Sequence, residues 1–142
     1  MNFFHEYHRE PRIIHNQTIR FEPHLHHEVE IIALFRGQVS LTMGGRDYVM
    51  HEGDLLIVFP NTVHSYASEG DVDVGKFIFS PDTLPELRDL FKTSLPLSPI
   101  ISGENELIAL SKEILKKVEA GEKGYGYYTQ MEIWITKADL EK

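Results

Sequence analysis

The sequence of 142 residues predicts a mainly β domain, a small sandwich or barrel, followed by C-terminal α-helices. Short apolar or alternating runs recur through the first 80 residues, with turn signals about every eight to twelve residues. After Ser80-Pro81 the apolar residues recur at helical spacing instead. We therefore divide the chain into a β-barrel with an N-terminal arm, residues 1–80, and a helical region, residues 81–142.

Each predicted strand follows from its side-chain pattern and from the turn residues beside it. The stretch 29–35 is almost wholly apolar, which is typical of a strand covered on both faces. Gly44-Gly45 predicts a two-residue hairpin turn, because glycine adopts the positive φ that such turns require. Pro60 ends a buried strand. In order, the predicted strands cover residues 13–14, 18–21, 29–35, 39–43, 47–50, 55–59, 63–66 and 72–79.

Three helical segments are predicted after residue 80. One begins near Pro81 and is followed by a loop over residues 94–102, which contains two prolines. Residues 104–119 predict an amphipathic helix, since apolar residues recur there at helical spacing. A last helix is expected over residues 127–142. It has no stop signal, so we expect the chain to be cut within or just after it.

Composition and charge restrict the functional classes. The formal net charge is −8, from 14 Lys and Arg residues against 22 Asp and Glu residues. No basic stretch is denser than Lys116-Lys117, so we expect no nucleic-acid binding by this chain alone. There is no cysteine, which excludes disulfides and thiolate metal sites. The N-terminus fits neither a signal peptide nor a membrane helix, so we expect a cytoplasmic protein without a membrane partner.

The strongest functional signal is a set of three histidines and one glutamate: His24, His26, Glu30 and His64. Residues 24, 26 and 30 share one face of a regular strand, because side chains alternate between the two faces. Imidazole and carboxylate groups can coordinate a divalent transition metal such as Zn, Ni, Fe or Mn. The same groups also form a polar patch for hydroxyl-rich ligands, and the residues by themselves leave both hypotheses open.

The block around these residues resembles the first motif of the cupin superfamily, whose fold is the double-stranded β-helix or jelly-roll barrel. That motif is His-x-His, three or four residues, Glu, six residues and Gly. His24, His26, Glu30 and Gly37 match it. The chain departs from the motif upstream of the first histidine, where Thr18 lies in place of a glycine.

A second block resembles the second cupin motif more loosely. Gly53, Pro60 and His64 match its Gly, Pro and His, whereas the glycine after the proline is missing and Ser68 replaces the closing asparagine. The amino-acid sequence of three segments is more specific and resembles the N-terminal cupin of AraC-type transcription regulators. These segments cover residues 44–48, 52–56 and 60–66.

The resemblance implies the effector-sensing and dimerisation domain of a transcription regulator. The implied protein is a homodimer joined through the C-terminal helices, and it binds a small polar effector, such as a carbohydrate, around His24, His26, Glu30 and His64. The helix-turn-helix units that read DNA in this family are absent from this chain. The resemblance implies no catalysis. Two alternatives stay open: a stand-alone metal-dependent cupin enzyme, such as an isomerase or dioxygenase, and a scaffold with an empty, packed barrel.

The remaining histidines and aromatic residues, and Glu28, are assigned to the surface, the core, the arm or the dimer interface. We expect His27 at the surface, and Glu28 in the site only if no bulge turns it outward. Trp134 is placed at the dimer interface, which the family forms with these helices. The histidines expected to be solvated are His5, His8, His15 and His51. The aromatic residues expected to fill the core are Tyr66, Phe77 and Phe79. The residues expected to anchor an arm, packed on the barrel or closing over ligand, are Phe3, Phe4 and Tyr7.

Overall fold

The computed structural model describes residues 4–6, 12–68, 70–83, 88–93, 95–96, 98–121 and 140–141, and its main feature is a pair of five-stranded sheets. Sheet 1 contains, in spatial order, β1 (Phe4–Glu6), β3 (Arg20–His26), β8 (His64–Ser68), β5 (Val39–Met43) and β6 (Arg46–Met50). Sheet 2 contains, in spatial order, β11 (Ile100–Ile101), β7 (Leu55–Val58), β4 (Val29–Arg36), β9 (Asp73–Phe79) and β2 (Arg12–Asn16).

Neighbouring strands of both sheets pair in antiparallel fashion, with one exception. The exception is β1, which pairs in parallel with β3 and lies opposite residues 24–26. Two further short strands, β10 (Leu95–Pro96) and β12 (Leu140–Glu141), pair with each other. The sheets form the jelly-roll barrel that the sequence predicted.

The barrel interior is an apolar core to which both sheets contribute. Ile32 and Leu34 of β4 pack there with Leu41 of β5 and Tyr66 of β8. The hairpin between β5 and β6 is the predicted one, because Gly44 and Gly45 have φ of 57° and 79°.

A second core lies on the outer side of sheet 2. It is covered by the helix α2 (Asn105–Glu119), whose Leu107, Ile114 and Leu115 are buried against that sheet. The strand β4 is therefore apolar on both faces, as predicted: Ile32 and Leu34 face the barrel, and Ile31, Ala33 and Phe35 belong to the core under the helix. The outer face of β4 is thus covered by a helix of the same chain.

Gly75 of β9 permits the close approach of α2 to sheet 2. A Cβ at this position would lie 2.7 Å from Leu115 Cδ1 and 3.3 Å from Phe35 Cε2. Any larger side chain would displace the helix or its leucine, so glycine is needed here for packing and not for backbone conformation.

The helical region differs from the sequence prediction outside α2. A 3-10 turn at Pro81–Thr83 stands where a helix start was predicted, and within the described residues α1 covers Arg88–Thr93. The predicted loop 94–102 contains β10 and β11, and β11 extends sheet 2. Residues 140–141 form β12 and not the end of a helix, whereas the rest of the predicted last helix lies outside the described residues.

No helix in the described part of the chain is long and apolar enough to cross a membrane.

Candidate functional site

The four predicted site residues come together inside the barrel and are called the His/Glu cluster: His24, His26, Glu30 and His64. All four are buried. His24 and His26 lie on β3, His64 begins β8 and Glu30 lies on β4. Residues 24–30 do not form one regular strand, because residues 27–28 form a bend between β3 and β4. Inner faces of both sheets, and not one strand face, bring the side chains together.

An irregularity in β3 aligns its first histidine with the cluster. Phe21 pairs with Tyr66 and His24 pairs with His64, so β3 has one more residue than β8 between these two pairs. An extra residue changes the alternation of faces. The rings of His24 and His64 consequently meet with centroids 4.1 Å apart, and the ring of Phe21 lies 5.2 Å from that of His24.

Each of the three imidazoles is oriented by a backbone carbonyl two residues away. The Nδ1 atoms donate to the carbonyl oxygen of Glu22 for His24 (2.8 Å), Glu28 for His26 (3.1 Å) and Thr62 for His64 (2.7 Å). A carbonyl oxygen can only accept, so Nδ1 carries the hydrogen in all three rings. Each Nε2 is then an acceptor in the neutral ring, which is the arrangement usual for metal-binding histidines.

Glu30 is the centre of the polar contacts. Its Oε2 lies 3.1 Å from His64 Nε2 and 3.4 Å from His26 Nε2. Tyr66 donates its hydroxyl hydrogen to the same oxygen at 3.0 Å. Burial opposes ionisation, but the contacts with His26 and His64 outweigh it and hold the pKa of Glu30 well below its ordinary value. The carboxylate is therefore the charged form at neutral pH.

The cluster has an excess of acceptors for a buried site. With Nδ1 as donor, His64 reaches Glu30 through a hydrogen only if its ring is protonated. Burial lowers the pKa of His26, but Glu30 and the carbonyl of Glu28 outweigh this and raise it. His26 Nε2 is nevertheless buried without a hydrogen-bond partner among the described residues. One ligand atom from each histidine lies within 4.8 Å of the other two, so a cation or a hydrogen donor from a ligand fits among them.

The cluster borders an internal cavity of about 170 Å³. His24, His26 and Glu30 form part of its wall, and Arg12 and Lys76 form another part. Two wider grooves, each of about 460 Å³, lie on sheet 1 and beside α2, but neither includes a residue of the His/Glu cluster. Of these three spaces, which are lined by described residues, the internal cavity is the one that reaches the cluster.

Sequence reasoning missed Lys76 and Arg12. Lys76 lies on the inner face of β9, opposite Ile32, and is only 4% exposed. Its Nζ lies 4.3 Å from the centroid of the Phe21 ring. The missed signal is the charged residue in the otherwise apolar run from Val74 to Phe79, at the inward-facing parity.

Several other predictions are decided by the structure. Tyr66 does more than fill the core, because it bonds Glu30. Phe77 and Phe79 are core residues, as predicted. His27 is exposed, as predicted, whereas Glu28 is buried and is not part of the cavity wall.

The remaining histidines and aromatic residues divide into three groups. His51 is exposed, as predicted. His15 is not simply solvated, since its two ring nitrogens contact Asp73 and Glu119. Six residues for which a role was predicted have side chains outside the described part of the structure: Phe3, Phe4, His5, Tyr7, His8 and Trp134.

Comparison with known proteins matches most of the chain to one family. A family described as the AraC-like ligand binding domain matches residues 6–123. The HTH-type transcriptional activator RhaR of Enterobacter sp. (strain 638) is 33% identical over 64 residues, which are 45% of this chain and 23% of that protein. The chain thus spans about a quarter of the length of this curated relative.

A solved structure supports the same fold. ToxT from Vibrio cholerae is similar with a TM-score of 0.52 at 11% identity, over 74% of this chain and 46% of that one. The Schizosaccharomyces pombe Cnp3 cupin domain has a TM-score of 0.45 at 16% identity, over 56% of this chain and 60% of that one.

Proposed function

This chain belongs to the family of AraC-like ligand binding domains, and on that premise we propose that it binds a small polar effector at the His/Glu cluster. The observation that supports this most strongly is the convergence of three buried imidazoles and Glu30 beside an internal cavity. The Nε2 atoms and the carboxylate accept hydrogen bonds, so hydroxyl groups of a carbohydrate are suitable partners. The protein is then a sensor, in which the effector is bound and not converted.

A divalent transition metal is a second occupant that the cluster fits. Its ligands would be His24, His26, His64 and Glu30, and the orphaned Nε2 of His26 supports this assignment. The carbonyl bonds at Nδ1 already orient the rings for it. When bound, such a metal would supply positive charge for an effector oxygen. Imidazole and carboxylate ligands suit Zn, Ni, Fe and Mn alike.

Two elements are placed to transmit effector binding. The backbone of β1 pairs beside His24 and His26, so a change at the cluster can alter the N-terminal arm. Sheet 2 bears α2 on its outer side, which connects the Glu30 strand to the helical region. We assign dimerisation to the C-terminal helices and DNA reading to another part of the regulator, because the net charge of −8 opposes DNA binding by this domain.

Calorimetry on a matched pair of variants tests the proposed site. Neutral sugars and small acids are titrated into wild type, His26→Ala and His27→Ala. His27 adjoins the site in sequence but is exposed, so it controls for a histidine loss that leaves the pocket unchanged. We expect an effector that binds wild type and His27→Ala and binds His26→Ala at least roughly tenfold more weakly. Equal affinity for all three proteins would exclude His26 from the pocket.

A stand-alone metal-dependent enzyme is the alternative, and the acceptor-rich cluster is the observation that favours it. This alternative predicts that the purified protein contains stoichiometric metal and that His64→Ala loses it. It also predicts turnover of a substrate. Bound metal without turnover would instead support a sensor that uses the metal to hold its effector.

A further inference from the structure

We infer that the effector is an organic anion, a small hydroxylated carboxylate such as a sugar acid, whose carboxylate is bound by Lys76 and Arg12. This inference rests on the proposed function, because it uses the same cavity. The inference specifies the charge of the ligand, which the His/Glu cluster alone does not determine.

Lys76 is a buried cation in the wall of the cavity. It is 4% exposed and lies among the rings of Phe21 and Tyr66, at 4.3 and 5.8 Å from their centroids. Burying an ammonium group is costly, so a lysine in such a place is usually functional or paired. Its charge also contributes, after the contacts with His26 and His64, to the lowered pKa of Glu30 in the same cavity wall.

Arg12 adds a second cation to the same cavity. Its Nε is buried and has no hydrogen-bond partner among the described residues. The guanidinium has a planar set of donors that matches a carboxylate, and a buried donor without an acceptor favours a ligand that supplies one.

The cavity wall is therefore positive within an acidic protein. Among the residues that the structure describes, the charged members of this wall are Arg12, Lys76 and Glu30, whereas the whole chain has a net charge of −8. One negative charge on the ligand balances this wall. In the same cavity, the His/Glu cluster provides acceptors for hydroxyl groups, and Asn16 adds an amide.

The size of the cavity restricts the anion. Its volume of about 170 Å³ is below the roughly 300 Å³ at which pockets for drug-sized ligands begin. A short hydroxylated acid fits these limits, whereas a nucleotide or a long acyl chain exceeds them.

Matched pairs of neutral and acidic sugars test the inference by calorimetry. Glucose is compared with glucuronate and gluconate, and galactose with galacturonate, at constant ionic strength, with inorganic phosphate as a further arm. We expect an acid to bind at least roughly tenfold more tightly than its neutral partner. In Lys76→Met and in Arg12→Gln this preference should shrink by a similar factor. Arg36→Gln is the control, because Arg36 is exposed and outside the cavity wall.

Each outcome bears on one claim. Equal or tighter binding of the neutral sugars, with loss of binding in His26→Ala, would overturn the anion inference and leave the proposed function standing. Binding of phosphate alone would also overturn it, as would an acid preference that survives both charge variants. No binding of any acid at millimolar concentration would overturn the sugar-acid assignment. If the neutral sugars also fail to bind, the carbohydrate part of the proposed function fails with it.

Discussion

Glu30 is the residue on which the polar pocket depends most. Its oxygen Oε2 is hydrogen-bonded to His64 and Tyr66 and lies 3.4 Å from His26 Nε2, so two side chains lose a hydrogen-bond partner when it is removed. The sequence predicted Glu30 and the histidines because their spacing is distinctive. It did not predict the bond of Tyr66, since strand parity shows that a residue faces inward but not which groups surround it.

Acid titration of stability tests the ionised state of Glu30. Its pKa is lowered in the folded protein, so its stabilising contribution is present above the unfolded value of about 4.3 and is lost as pH falls through the folded value. Urea unfolding across this range should show a steeper acid loss for wild type than for Glu30→Gln. Parallel curves would contradict an ionised Glu30.

Tyr66→Phe tests the hydroxyl bond to Glu30. Removing one hydrogen bond to a charged group should reduce the free energy of unfolding by about 1.5–3 kcal/mol. Tyr48→Phe is the control, because this half-buried tyrosine lies on β6, which β5 separates from the β8 strand of Tyr66. Equal losses in denaturant unfolding of the two variants would count against the bond.

At the scale of elements, the contact of α2 with sheet 2 joins the barrel to the helical region. Leu115 and Ile114 pack on this sheet, and His15 of β2 contacts Asp73 of β9 and Glu119 of α2. The amphipathic pattern predicted this helix to within one residue. The bonds of His15 could not be predicted, because they join three elements that are distant in sequence.

Gly75→Val tests the close approach of the helix. Valine is favoured in strands, yet its Cβ would lie 2.7 Å from Leu115 Cδ1, so we expect a loss of about 1–3 kcal/mol in the free energy of unfolding. Leu115→Ala is destabilising alone but should offset part of the Gly75→Val loss in the double variant. Strictly additive losses would contradict a steric conflict between these two residues.

His15→Asn tests the contacts of the helix with the barrel through pH dependence. Hydrogen bonds that His15 donates to Glu119 and Asp73 raise the pKa of its ring, so its contribution is complete below the unfolded value near 6.5 and is lost as pH rises through the folded value. Water screens this half-exposed group, so the loss should be about 1 kcal/mol or less. Thermal unfolding should depend on pH less strongly in His15→Asn than in wild type or in the exposed control His51→Asn.

At the scale of the whole molecule, the described part of the chain combines a polar pocket inside the barrel with apolar cores on both faces of sheet 2. The His/Glu cluster and the cations Arg12 and Lys76 lie within the barrel, while sheet 2 bears α2 outside. Sequence reasoning reached the barrel and the cluster through periodicity and motif spacing. It missed the cationic wall, because Arg12 and Lys76 belong to no motif and come together only when β2 and β9 pair.

Histidine NMR during effector titration tests the central claim most directly. Nitrogen-15 spectra distinguish Nδ1 from Nε2 in each ring, and the imidazoles can be assigned with single histidine variants. We predict that a bound effector shifts the Nε2 signals of His24, His26 and His64 together, while the exposed rings of His27 and His51 stay unchanged. Saturable binding that leaves these three Nε2 signals unmoved would contradict the account and place the effector elsewhere.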